Sequence, residues 1–194
     1  GYFEKVNECL HQLLLYNYIC ITPKFLISRA SYLQELGKAD SVQDEADHRI
    51  LSDPNDMYSQ VVLGVNNALQ SYYKGNFKEA ASRLNEVINT NSFKDYFHIN
   101  IEIKLALSFM YVLQKEYDMA DSVLKNTYRK IKSEQVEGYS NALDIIRVLG
   151  EDVKKQNTKP SAKQKDHFAL FVARNSGDTK LLEYLGHELR KKYA

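Results

Sequence analysis

Apolar positions recur along this chain at spacings of three and four residues, the interval that lines one face of an α-helix. Alternating apolar and polar runs bounded by Asn-Gly or Asp-Gly turns, the signature of hairpin strands, are absent. The punctuation agrees. Thr22-Pro23 and Asp53-Pro54 each pair a cap residue with proline at a first helical position. Ser161 followed by Gln164 forms a capping box after Pro160, and Ser92 with Asp95 is similar. Gly37, Gly75 and Gly177 each follow one apolar stretch and precede another, as helix C-caps do. These signals predict helices over 3–18, 22–37, 40–51, 55–74, 77–90, 93–115, 117–134, 139–156, 162–176 and 178–192. Joints this short force neighbouring helices antiparallel, so the chain reads as an all-α row of helical hairpins. The polar stretch from Lys154 to Lys165 is the one linker. It divides a repeat array over 1–156 from a C-terminal hairpin or cap over 157–194, both in one domain.

One segment occurs twice. Residues 72–84 and 112–124, aligned on Ala80 and Ala120, each show an aromatic (Phe77, Tyr117), then an Ala, then a Leu (Leu84, Leu124). One helix earlier, Ser108 stands where Ala68 stands, so the offset is a constant 40 residues. A weaker copy runs through Ala30, Gly37, Val42 and Ala46, and the pair around Gly177 and Leu182 keeps only the turn. Small residues at Ala68, Ala80, Ser108 and Ala120 would let paired helix backbones approach closely. Helix 93–115 is apolar nearly all round from Ile101 to Leu113, which predicts burial on more than one side.

This pattern resembles the tetratricopeptide repeat, a helix-turn-helix unit with small residues at its crossings and an aromatic opening the second helix. The match is good over 61–92 and 101–128 and fair over 23–50. Two features depart from the family: the offset exceeds the usual repeat of about 34 residues, and Ser92 stands where a closing proline is common. The resemblance implies a right-handed αα-superhelix of about four to five antiparallel hairpins that binds a protein or peptide as a scaffold or adaptor. It also implies a concave face lined by first helices: Val62, Val65, Asn66, Leu69 and Tyr72, then Glu102, Leu105, Phe109 and Val112. That lining is largely apolar and offers no Lys or Arg beside Asn66, which argues against a clamp for a peptide carboxylate. An amphipathic helix or an apolar peptide would suit it. So would another helix of the same chain, such as 3–18, and the sequence leaves these two readings open. A sensor module of a longer regulatory protein is the alternative function, and an all-α enzyme the least favoured one. Self-association would follow if the groove or an uncapped end were exposed.

Composition changes this picture little. The net charge of +1 excludes an overall polyanion binder, and no nucleic-acid partner is expected. From Glu151 onward ten Lys/Arg face six Asp/Glu, leaving 16 and 19 in residues 1–150, so the tail is mildly basic. Cys9 and Cys20 form no disulfide framework or metal-ligand spacing and read as free thiols. This favours a reducing, cytoplasmic setting, although a start at Gly1 rather than Met suggests a cloning scar or an excised fragment, from which any leader or upstream domain would be missing. No apolar run is long enough to span a bilayer.

Catalytic and metal chemistry find no support. Asp44-Glu45-Ala46-Asp47 spells a helicase metal tetrad, but the phosphate loop that chemistry needs is absent. His11, His48, His98, His167 and His187 are scattered, and none forms the paired spacing of a helical zinc site. No cofactor, metal or catalytic residue is therefore expected, and the chain is not read as an enzyme. The 14 tyrosines suit packing and protein contact better than base stacking.

Overall fold

Six helices pack as successive antiparallel pairs in the computed structural model, which describes Lys5 and residues 57–94, 97–134, 139–156, 159–174 and 189–193. They are α1 (Met57–Tyr73), α2 (Phe77–Thr90), α3 (Phe97–Leu113), α4 (Tyr117–Ser133), α5 (Ser140–Lys155) and α6 (Ala162–Arg174). Residues 189–193 are also helical, and no strand occurs among the described residues. The expected helices 22–37 and 40–51, the weaker copy at Ala30–Ala46 and the turn at Gly177 lie outside the described residues, as does helix 3–18 apart from the helical Lys5. No described helix is long and apolar enough to cross a membrane.

Helix α1 pairs with α2, α3 with α4, and α5 with α6. Between pairs, α3 packs on α2 and on α5, and α4 also meets α5. Helix α3 is thus enclosed on three sides. This is the physical reason for its all-round apolar sequence, and every residue from Ile101 to Val112 except Lys104 is buried. The small residues lie where close crossing needs them: Ala68, Ala80, Ala120 and Ser108 are all buried. The Ser108 hydroxyl donates back to the Lys104 carbonyl at 2.8 Å, so the polar atom at this crossing is satisfied within its own helix. Gly64 extends the α1–α2 crossing by one turn. A Cβ there would come within 2.2 Å of Val87 Cγ2.

The two turns are built alike. The Gly75 N–H donates to the Tyr72 carbonyl and the Asn76 N–H to the Ser71 carbonyl, both at 2.9 Å. Forty residues on, the Lys115 N–H donates to Val112 at 3.1 Å and the Glu116 N–H to Tyr111 at 2.9 Å. Both are Schellman closures, which require a left-handed residue just past the helix. Gly75 fills that place at φ 75°, and Lys115 fills it at φ 62°. A side chain at positive φ costs about 1 kcal/mol. Lys115→Gly is therefore expected to stabilise the chain by up to about 1 kcal/mol, and Gly75→Ala to destabilise it by a similar amount. Thermal melts of the two variants check both signs.

The capping box at α6 is complete. The Gln164 N–H donates to Ser161 Oγ at 3.2 Å, and the Ser161 N–H donates to Gln164 Oε1 at 2.9 Å. Residues 93 and 94 lie outside any helix, with Phe93 buried in the core, and α3 is described from Phe97 onward. Asp95, the second half of the other expected box, is outside the described residues.

Candidate functional site

The residues assigned to a concave lining lie on α1 and α3, as expected. Val65, Asn66, Leu69, Glu102, Leu105, Phe109 and Val112 are all buried, and Tyr72 is half-buried. Val62 lies within α1, and its side chain is outside the described set. Leu105 and Phe109 are 0% and 1% exposed, so the chain itself covers this part of the lining. Tyr72 links the two first helices: its ring centroid is 6.3 Å from Phe109 and 5.6 Å from Phe77. Between hairpins the Asn85 amide donates to the Tyr111 hydroxyl at 2.7 Å, and the Gln114 amide to the Phe77 carbonyl at 3.2 Å.

Asn66 is 1% exposed, and neither its amide nitrogen nor its amide oxygen has a hydrogen-bond partner among the described residues. Buried amides are normally paired. Glu102 is buried close enough to Tyr139 that its charge, after burial itself, raises the Tyr139 phenol above its ordinary value. The lining is thus less uniformly apolar than its sequence suggests.

A cleft of about 270 Å³ opens between α1 and α2, rimmed by Gln60, Asn67, Arg83, Glu86 and Asn91 over a floor at Gly64. Arg83 Nε lies 2.9 Å from the Glu79 carboxylate one turn away, an ion pair without hydrogen-bond alignment. No sequence motif marked this cleft. Val87, which a Cβ at Gly64 would meet, also lines it.

A second polar centre sits where the C-terminal segment meets α5 and α6. Asp152 is 3% exposed, and its carboxylate accepts from the Gln164 amide at 2.7 Å, from Lys192 Nζ at 2.5 Å and from the Tyr193 hydroxyl. The Gln164 amide also donates to the Val148 carbonyl at 3.1 Å. Nearby, the buried Asp144 carboxylate accepts from Arg147 at 2.7 Å and lies 3.9 Å from His167 Nδ1. Every strong bond at Asp152 is already made within the chain, which suits a structural lock. Among the described residues no group of three or more His, Cys, Asp or Glu side chains is placed to hold a metal.

No family model matches this chain, and no curated protein or solved structure is significantly similar to it.

Proposed function

We propose that this chain is a divergent tetratricopeptide-like module, a right-handed superhelix that binds a protein or peptide as a scaffold or adaptor. The observation that carries the reading is the repetition of one hairpin at a 40-residue offset, down to the same pair of closing hydrogen bonds at Gly75 and Lys115. Stacked hairpins of this kind spend their side chains on neighbouring repeats and present extended surfaces, which suits them to binding. The tightly packed lining of α1 and α3 leaves two routes for a partner. It displaces what covers Leu105 and Phe109, or it uses the outer faces of the second helices.

Affinity capture from native lysate tests this reading. The tagged chain should retain a protein in near-equal amount, and binding should slow amide exchange along defined helical faces. Retention of no protein at such a ratio would contradict it. Charges introduced at Leu69 or Phe109 are unsuitable probes, since both side chains are core and the variants would report unfolding.

A further inference from the structure

Along α2 the wall of the α1–α2 cleft changes character from one end to the other. Arg83 and Glu86 both line it, at a helical spacing that sets their Cβ atoms about 5–6 Å apart. Arg83 pairs backwards through Nε, with Glu79 at 2.9 Å. That pair does not use the Nη edge of the guanidinium, a two-nitrogen fork that matches a carboxylate. Beyond Glu86 the wall ends in a fixed acceptor. The Asn91 amide nitrogen donates to the Val87 carbonyl at 2.9 Å and to the Thr90 hydroxyl at 3.0 Å. The Thr90 hydroxyl donates in turn to the Glu86 carbonyl at 2.8 Å. Both amide hydrogens of Asn91 are thus spent within the helix end, and what it can offer to the cleft is its oxygen. The last turn of α2 holds no Lys or Arg. One end of the cleft therefore presents a cation and the other a carboxylate with an amide oxygen. Between them lies an apolar floor of Leu63, Gly64 and Val87.

We propose that this cleft binds a small zwitterion, a free amino acid with an apolar side chain. The ligand's carboxylate sits on Arg83, its ammonium between Glu86 and Asn91, and its side chain on the floor. A ligand that separates its two charges by one bond length or two is what a cation and a carboxylate one helical turn apart can bridge. A peptide end carries only one of the two charges at its terminal residue and would use half of the site. The volume of about 270 Å³ falls just below the range of about 300–1,000 Å³ that holds drug-sized ligands, which suits an amino acid and leaves little room for a nucleotide. This site stands apart from partner binding and does not depend on it.

The test is an NMR titration of the intact, ¹⁵N-labelled chain with L-leucine. Parallel arms use 3-methylbutylamine, which lacks the carboxylate, and 4-methylpentanoate, which lacks the ammonium. Leucine should give saturable shifts centred on the amides of Gly64, Val87 and Asn91, at about millimolar affinity or better. Each one-charge analogue should bind about tenfold more weakly. Arg83→Met keeps the apolar stem of the side chain and Glu86→Gln keeps its shape, and each should weaken leucine about tenfold. Glu79→Gln breaks the same Arg83 ion pair from outside the cleft lining and should leave leucine within about twofold. None of these three side chains is buried, and circular dichroism checks that each variant is folded. No saturable shift up to about 10 mM leucine, equal binding of either analogue, unchanged binding in both cleft variants, or equal loss in Glu79→Gln would each overturn the proposal. A chain that captures a protein from lysate yet ignores leucine would refute this site while leaving the module reading intact.

Discussion

Phe109→Ala is expected to destabilise the chain by about 4 kcal/mol, a loss typical of a large aromatic removed from a rigid interior. Phe109 is among the largest fully buried side chains and lies on α3, the helix that three others enclose. Its ring meets Tyr72 across the two first helices, so truncation removes packing within one hairpin and between two. A domain holds only about 5–15 kcal/mol in all, and this one substitution should bring it close to unfolding. Phe109→Leu keeps most of the volume and should cost under about 2 kcal/mol. Urea unfolding followed by circular dichroism separates the two. Near-equal midpoints for wild type and Phe109→Ala would show that α3 is not the central packing element.

Asp152→Ala should be nearly as costly, about 3 kcal/mol, because it leaves the buried Gln164 amide and the Tyr193 hydroxyl without an acceptor and Lys192 without its counter-charge. Asp152→Asn should lose less, since its amide oxygen still accepts from Gln164. The same lock makes a pH prediction. Burial, then the Asp152 charge and its hydrogen bond, raise the Tyr193 phenol above its ordinary value of 10.0. The folded pKa is the higher one, so the contribution of the neutral phenol is complete below pH of about 10 and is lost as pH rises beyond it. The C-terminal segment should therefore loosen in strong alkali, and its loosening should coincide with ionisation of Tyr193 followed by tyrosine absorbance.

Much of the helix order was legible because amphipathic spacing and caps are local signals. Helices α2 and α6 begin at Phe77 and Ala162, as the turn at Gly75 and the capping box at Ser161 indicated. The small-residue positions Ala68, Ala80, Ser108 and Ala120 were legible because a close crossing tolerates little else. Lys115 escaped notice: a lysine carries none of the turn signal that glycine does, and only the offset from Gly75 points to it. Gly64 was overlooked beside Ala68, one turn away on the same helix. The Asp152 lock joins residues 40 and 41 positions apart, and no periodicity reports a contact of that range. The lining of α1 and α3 was the hardest to read. An apolar stripe that faces a partner and one that faces the chain's own core obey the same spacing, and only the structure shows Leu105 and Phe109 covered.

The central claim is that residues around 57–90 and 97–133 are two copies of one hairpin, and the backbone of Lys115 tests it most directly. Residue-resolved NMR of the intact chain can measure the φ angle at Gly75 and Lys115 and the exchange protection of the Asn76 and Glu116 amides. The account predicts positive φ at both positions, with both amides protected by the carbonyls of Ser71 and Tyr111. A negative φ at Lys115 with an unprotected Glu116 amide would mean the second turn is built differently. The 40-residue equivalence, and the repeat reading that rests on it, would then fail.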